Sequence, residues 1–175
     1  MIPPLQKSIT VEGDPETAFR RFTAEMASWW PLRTHSVGEE RAETCVFEGR
    51  VGGRIYEVLR GGEESLWGTV TAWEPPRRVA FTWHPGRAPS TEQQVEVCFA
   101  AVGHGTRLEL THSGWDSLGP RARRMRAGYR LGWAYVLALW AGRRSSFTVL
   151  SVGVLGWVVG LALRLRGRSA GTASP

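Results

Sequence analysis

The feature that most constrains this chain is a long amphipathic pattern near its C-terminal end, between positions 118 and 140. Apolar and small residues recur there at steps of three and four: Leu118, Ala122, Met125, Tyr129, Gly132, Trp133, Val136 and Trp140. This spacing predicts one apolar stripe on a helix of about five or six turns, with Pro120 suited to its first turn. Such a helix needs a broad apolar surface to lie on, and the preceding sequence must supply it.

Short alternating segments separated by glycine- and proline-rich turns precede this helix and predict that surface. Seven strands are expected, at 5–12, 44–48, 54–60, 65–73, 78–84, 92–101 and 106–113. In the last strand Leu108, Leu110 and His112 alternate with polar residues, so they should share one face. Tight turns between consecutive strands are typical of an antiparallel meander. The order predicts an α+β fold in which one curved antiparallel sheet grips the C-terminal helix.

One more helix is predicted after the first strand. Asp14 suits the N-cap, and Pro15 suits the first helical position. Apolar residues follow at helical spacing: Phe19, Phe22, Met26 and Trp29. We therefore expect an amphipathic helix that continues to Trp29 and ends before Pro31. The polar stretch 34–42 is expected to be irregular.

The charge is distributed unevenly along the chain. The net charge is +6, from 22 Lys and Arg and 16 Asp and Glu. All 16 acids lie at or before Asp116, together with 12 basic residues, while 10 Arg follow it; the balances are 12 − 16 = −4 and +10. Five arginines lie on the predicted C-terminal helix and are candidates for binding a protein partner: Arg121, Arg123, Arg124, Arg126 and Arg130. The alternative is a solvated helix face. No nucleic-acid-binding motif accompanies them, so nucleic acid is not an expected partner.

The two cysteines, Cys45 and Cys98, stand alone in predicted strands, without a CxxC motif or a signal peptide. A reduced, cytoplasmic protein is the expectation. No metal-binding spacing, P-loop, GxGxxG or GxSxG motif is present, so no cofactor and no metal are expected.

Three phrases of the sequence carry a family resemblance: GGRIYE (52–57), WGTVTAWEPPRRVAFTWHP (67–85) and LTHSGW (110–115). In this order they resemble the activator of Hsp90 ATPase homologue 1-like family, within the START-like (SRPBCC) helix-grip superfamily. The resemblance extends from about Lys7 to Gly142. It implies a sheet wrapped around the last helix, with a cavity between them. It also implies binding of an apolar or aromatic small molecule. The alternatives that it implies are an Hsp90-type co-chaperone or stress-response partner, and a cyclase- or hydrolase-like enzyme.

Aromatic residues are the strongest site signal in the sequence. Several lie where they would line such a cavity, and with His112 they form the candidate ligand-binding set: Phe47, Tyr56, Trp67, Trp83, His112, Trp115, Tyr129 and Trp133. His112 and Tyr129 would supply polar handles for the bound group. The alternative is that these residues are ordinary core.

His112 is the one candidate for catalysis, as an acid or base. No orienting partner can be identified from the sequence, and a structural histidine satisfies the same pattern. Whether the protein is an enzyme stays open, with binding the favoured interpretation.

The C-terminal tail contains an uncharged run of 17 residues, 147–163, with Gly156 and Gly160 forming a GxxxG motif. As a helix it would span about 26 Å, against about 30 Å for a bilayer core. We therefore expect a domain at 1–142, a linker at 143–146, an apolar helix at 147–165 that is a candidate membrane anchor, and a disordered tail at 166–175. Packing of this helix on the domain, or on a second copy, is the alternative.

Overall fold

The computed structural model describes residues 1–143, which form one curved antiparallel sheet and a long helix. The strands are β1 (Leu5–Glu12), β2 (Ala42–Phe47), β3 (Arg54–Leu59), β4 (Glu64–Glu74), β5 (Arg78–Trp83), β6 (Gln93–Val102) and β7 (Gly105–Ser113). Their order in the sheet is β1-β7-β6-β5-β4-β3-β2. The helices are α1 (Pro15–Phe22), α2 (Leu32–His35) and α3 (Ala122–Trp140). The predicted α+β fold is confirmed.

The inner face of the sheet is set by strict alternation along its central strands. On β7, Leu108, Leu110 and His112 are all at most 1% exposed, which confirms that they share one face. The neighbouring strand places Val97 opposite Leu110 and Val95 opposite His112, and both valines are also fully buried. Cross-strand pairs of this kind produce a continuous apolar surface on which α3 lies.

The C-terminal helix begins later than the sequence predicts. Residues Trp115–Arg121 form a 3₁₀ segment, and α3 starts only at Ala122. The cause is Gly119, whose φ of 54° and ψ of −133° interrupt the helical backbone just before Pro120. The predicted stripe is otherwise correct, because Ala122, Trp133, Val136 and Trp140 are buried on α3.

The first helix is shorter than predicted. It starts as expected, with Asp14 accepting a hydrogen bond from the Thr17 backbone N–H, but it ends at Phe22. Thr23 leaves the helical conformation while its hydroxyl donates to the carbonyl oxygen of Phe19, a local bond that competes with helix continuation. A separate 3₁₀ turn, Met26–Ser28, leads to Trp29. This break lets Trp29 and the next residue, Trp30, both turn inward, each 7% exposed.

The stretch expected to be irregular, 34–42, includes the end of α2 and a 3₁₀ turn at Glu39–Arg41. Their lengths of four and three residues are too short for helical periodicity to reveal.

Two glycines give opposite predictions for alanine substitution. At Gly68 on β4 a Cβ would overlap the Thr82 carbonyl of the neighbouring strand, whereas at Gly128 on α3 nothing lies within 4 Å of the added atom. We expect Gly68→Ala to destabilise the fold by about 3 kcal/mol or more, because the strands must separate. Gly128→Ala should stabilise it by about 0.5–1 kcal/mol through helix propensity. Urea denaturation measures both, and equal effects at the two positions would contradict the described strand packing.

Within residues 1–143, none of the helices combines the length and apolar character needed to cross a bilayer. The predicted linker beyond Arg143, the candidate anchor helix at 147–165 and the disordered tail lie outside the described residues.

Candidate functional site

Four tryptophans from four separate segments meet between the sheet and α3. Trp67 lies on β4, Trp83 on β5, Trp133 on α3 and Trp30 on the connection before α2. The ring centroid of Trp30 lies 5.4 Å from that of Trp67, 5.8 Å from that of Trp83 and 6.1 Å from that of Trp133. All four side chains are buried. We call this group the tryptophan cluster; Trp30 is its centre.

His112 extends the tryptophan cluster from β7. Its Nδ1 accepts a hydrogen bond of 3.0 Å from the indole N–H of Trp133. Because an indole only donates, the proton of the neutral imidazole is on Nε2. Burial, and the nearby positive charge of Arg87, lower the pKa of His112 from 6.5 to about 3. The side chain is thus a neutral hydrogen-bond donor with its basic nitrogen already occupied.

Three buried donors in this region have no acceptor. They are Trp67 Nε1, Trp83 Nε1 and His112 Nε2. A buried donor left without a partner costs about 1–3 kcal/mol. The ring of Trp83 lies 5.7 Å from that of Trp67 and 6.0 Å from that of Trp133, which bonds to His112. The three donors therefore belong to side chains along one continuous series of ring contacts, and they suit a bound molecule with acceptor oxygens.

One end of the tryptophan cluster carries a half-buried positive charge. Arg87, in the loop after β5, donates to the Tyr129 hydroxyl at 3.3 Å, to the Trp83 carbonyl at 3.3 Å and to Gln93 Oε1 at 2.8 Å. Its Nε is buried without a partner. Tyr129 in turn packs edge-on against His112, with ring centroids 4.9 Å apart. The loop and α3 are thus joined by a guanidinium next to His112.

The other end is covered by α2 and the residues after it. The Trp30 indole donates to the His35 carbonyl at 2.9 Å, and the His35 ring lies 5.2 Å from that of Tyr135 on α3. Burial lowers the pKa of His35 to about 4. Glu57 Oε1 accepts from the backbone N–H groups of Val37 and Gly38, at 2.9 and 3.1 Å. These contacts tie the covering segment 31–38 to Trp30, α3 and β3, and Leu32 of the segment packs against the core.

The structure brings together six of the eight predicted ligand-binding residues: Trp67, Trp83, His112, Trp115, Tyr129 and Trp133. Phe47 lies farther along the sheet, beside Phe81, at a centroid distance of 5.6 Å. The prediction that Tyr56 lines the site is wrong. Tyr56 alternates with buried Ile55 and Glu57 on β3, so it lies on the opposite face, with the Arg54 guanidinium 4.3 Å from its ring centroid.

A separate surface groove of about 370 Å³ lies between α1 and the turn that joins β4 to β5. Its apolar lining includes Phe19, Phe47, Trp73, Pro75 and Pro76. None of the buried unpaired polar atoms of the described residues belongs to its lining. Of its polar lining residues, Arg20 pairs with Glu25 and the Thr23 hydroxyl donates to the Phe19 carbonyl, and Glu16 completes the set.

The five arginines predicted to bind a partner differ in their surroundings. Arg126 donates to the carbonyls of Pro3 and Pro4, at 2.8 and 2.9 Å, and so ties the N-terminal segment to α3. The other four are exposed: Arg121, Arg123, Arg124 and Arg130. Among the described residues none of these four pairs with an acid.

The thiols of Cys45 and Cys98 are free, and burial with the neighbouring Glu57 carboxylate raises the pKa of Cys45 to about 12. Residues 1–143 contain no group of three His, Cys, Asp or Glu side chains arranged to hold a metal ion.

Sequence reasoning missed four residues of this region: Trp30, Glu57, Arg87 and Gln93. Trp30 lies between Trp29 and Pro31, where the first helix was predicted to end, and the break at Thr23 that turns it inward has no periodic signal. Glu57 and Gln93 occupy inward positions of their strands, each 0% exposed, and a polar residue at such a position was the available signal. Arg87 is in a loop, where no pattern indicates a partner.

A family model described as "Activator of Hsp90 ATPase homolog 1-like protein" matches residues 13–139. No curated protein sequence matches the chain. One similar solved structure is the anthrahydroquino-γ-pyrone synthase Txn09 in a complex, at 32% identity and a TM-score of 0.58, covering 81% of this chain and 97% of that one.

Two further structures show the same fold. The self-sacrificing resistance protein CalC from Micromonospora echinospora is 26% identical, with a TM-score of 0.60, covering 81% of this chain and 93% of its own. The Aha1 dimer from Colwellia psychrerythraea is 19% identical, with a TM-score of 0.59, covering 81% and 99%. At this identity the Aha1 similarity concerns the fold alone.

Proposed function

The chain belongs to the activator of Hsp90 ATPase homologue 1-like family, and we propose that it binds a flat, oxygenated aromatic small molecule between its sheet and α3. The site consists of the tryptophan cluster and His112. Aromatic rings supply stacking surfaces for a planar ligand. The bound molecule is held by ring contacts and oriented by hydrogen bonds to the inward donors.

The unpaired donors are the observation that carries this proposal. Trp67 Nε1, Trp83 Nε1 and His112 Nε2 are all donors, and each is buried where water does not reach it. A carbonyl or hydroxyl oxygen of a ligand satisfies such a group and recovers the free energy lost on its burial. Phenylalanine or leucine at these positions would supply no donor.

The relative at 32% identity, Txn09, supports the proposed chemical class of the ligand. Its name describes a synthase of an anthrahydroquino-γ-pyrone, a polycyclic aromatic skeleton that bears several oxygens. A ligand of this kind matches both features of the cluster, the flat rings and the donors.

Side chains fill the space between the sheet and α3, so a ligand can enter only if one of them moves, and Trp30 is the residue that we propose moves. Its indole has the ring contacts, with Trp67, Trp83 and Trp133, that a bound aromatic molecule would make. It is attached to segment 31–38, whose contacts include the His35–Tyr135 ring contact, two hydrogen bonds to Glu57 and the packing of Leu32 against the core. In our proposal this segment moves outward with Trp30, and the ligand takes the place of the indole.

His112 acts in this proposal as a hydrogen-bond donor and not as a catalytic base. Its Nδ1 is occupied by Trp133, and its pKa of about 3 lies far below the range near 7 that suits a base at neutral pH. The enzyme alternative therefore has no acid–base group at His112.

Titration of the full chain with alizarin, a dihydroxyanthraquinone, tests the proposal. We expect one bound molecule per chain by native mass spectrometry, with quenching of the tryptophan fluorescence. Phenanthrene, a flat ring system of similar size without oxygens, should bind at least tenfold more weakly because it satisfies no donor. Equal binding of the two compounds, or none, would overturn the proposal.

A second candidate function uses the four exposed arginines of α3, and we propose it for a different surface. Arginines at the start of a helix oppose its dipole, so their presence there does not serve helix stability. They suit an acidic protein surface, and the family description refers to the Hsp90 ATPase. We expect Arg123→Glu with Arg124→Glu to abolish capture by purified Hsp90, while the matched change Arg60→Glu with Arg77→Glu leaves it intact. Loss of capture in neither or both variants would reject this surface.

A further inference from the structure

We infer that the Arg87 end of the tryptophan cluster is a recognition site for an acidic group, a carboxylate or phenolate, on the bound aromatic molecule. This inference rests on the proposed function and adds to it the position and charge of the recognised group. Three elements meet here: the loop after β5, the first residue of β6, and α3, which contribute Arg87, Gln93 and Tyr129.

The charge of Arg87 is not neutralised by the residues that hold it. Its three hydrogen bonds go to a hydroxyl, a backbone carbonyl and an amide oxygen, all of them neutral. By contrast, Arg54 and Arg78 on the outer face of the sheet each pair with two carboxylates. A half-buried guanidinium with a buried, unpaired Nε is costly without an anion, and an anionic oxygen that accepts from it would make a charge-assisted hydrogen bond.

Two groups beside Arg87 have N–H or O–H donors that are not used within the protein. The Tyr129 oxygen accepts from Arg87, which leaves its own O–H free to donate. His112 Nε2 is a buried donor without a partner, on a fully buried side chain whose ring contacts Tyr129. Guanidinium, phenol and imidazole N–H together match an anion, which only accepts hydrogen bonds.

The position of Arg87 relative to the rings fixes how the molecule would lie. Arg87 bonds to the backbone carbonyl of Trp83, and the ring of Trp83 contacts both Trp67 and Trp133. A molecule with its acidic group at Arg87 therefore has its aromatic part directed into the tryptophan cluster. The half-buried state of Arg87 leaves the acidic end near solvent, whereas the rings are enclosed. This arrangement selects aromatic acids over neutral aromatics of equal size.

Binding of 2-naphthoate and its neutral isostere 2-naphthamide tests this inference, by calorimetry on the full chain at pH 7. We expect the wild-type protein to bind the acid about 10- to 100-fold more tightly than the amide, the range for hydrogen bonds to a charged group. Arg87→Gln should remove that preference by lowering the affinity for 2-naphthoate while leaving the affinity for 2-naphthamide unchanged. Arg87→Lys keeps the positive charge but not the planar guanidinium, so it should retain part of the preference for the acid. The control Arg77→Gln removes an exposed arginine of the turn between β4 and β5 and should change neither affinity.

The outcomes separate this inference from the proposed function. Binding of neither compound, while alizarin also fails, contradicts the proposed function. Equal binding of acid and amide by the wild-type protein, or a preference that survives Arg87→Gln, overturns the inference and leaves ring binding in place. If Arg87→Gln does not fold, the acid-to-amide ratio in Arg87→Lys decides, because an unchanged ratio there contradicts recognition by the guanidinium.

Discussion

Replacing Trp30 with alanine will destabilise the protein by about 3–5 kcal/mol and create a site that aromatic compounds fill. Trp30 is 7% exposed and contacts four other tryptophans, so truncation removes a large buried surface and leaves a cavity. An apolar cavity of this kind binds small aromatic molecules. Indole and coumarin should therefore raise the melting temperature of Trp30→Ala in a concentration-dependent manner.

Trp140→Ala is the matched control for this prediction. Trp140 is 1% exposed and packs against Phe22 and Phe99, away from the tryptophan cluster. Its removal should cost a similar free energy of unfolding. The affinity ratio of coumarin, which has a carbonyl, to naphthalene should be about five- to tenfold greater in Trp30→Ala, where the cavity is lined by Trp67 and Trp83 with their unpaired indole N–H groups. Equal affinity ratios in the two variants would contradict a role of the unpaired donors in binding. So would a melting temperature of Trp30→Ala that indole and coumarin do not raise.

Acidification will destabilise the protein between pH 6.5 and pH 3, with a large contribution from His112. The folded pKa of His112 is about 3, because of burial and the charge of Arg87, and the ordinary value is 6.5. Below pH 6.5 the unfolded chain binds a proton that the folded protein does not, so stability falls as the pH falls, until the folded state is also protonated. The expected loss is about 3 kcal/mol from pH 7 to pH 4. His35, whose folded pKa is about 4, acts in the same direction.

His112→Asn isolates this effect in urea denaturation at several pH values. The asparagine side-chain oxygen can still accept from the Trp133 indole, but it does not titrate. The variant should be less stable than wild type at pH 7 and should lose about 3 kcal/mol less on going to pH 4. A pH dependence identical to that of the wild type would show that His112 titrates normally in the folded protein.

The sequence predicted the fold well because the fold depends on repeating patterns. Alternation along 106–113 placed Leu108, Leu110 and His112 on the inner face, and the stripe on α3 placed Trp133, Val136 and Trp140 against the sheet. The three segments that resemble the family implied that this sheet wraps around the last helix. The errors came where one residue decides the backbone: Thr23 ends α1, and Gly119 delays α3. Such single-residue effects have no period to detect.

The sequence predicted that aromatic residues form the candidate site, but not which face of a strand each one occupies or which hydrogen bonds each one makes. Tyr56 was assigned to it because aromatic character was counted without strand register, which turns this ring outward beside Arg54. The hydrogen-bond state of each indole is also invisible in sequence. Trp115 and Trp29 donate to backbone carbonyls, whereas Trp67 and Trp83 do not. Only three-dimensional contacts distinguish a structural tryptophan from one with a free donor.

That distinction gives the most direct test of the central claim, that the tryptophan cluster is a ligand site. The measurement is calorimetric titration with alizarin of two double variants, Trp67→Phe with Trp83→Phe and Trp29→Phe with Trp140→Phe, together with their stability in urea. Both pairs lose the same ring volume, but only the second pair loses a hydrogen bond made within the protein, from the Trp29 indole to the Arg21 carbonyl. We predict that the first pair weakens alizarin binding at least tenfold while remaining the more stable of the two, and that the second binds alizarin as the wild type does. Unchanged affinity in the Trp67 and Trp83 variant, or an equal loss in both, would contradict the account.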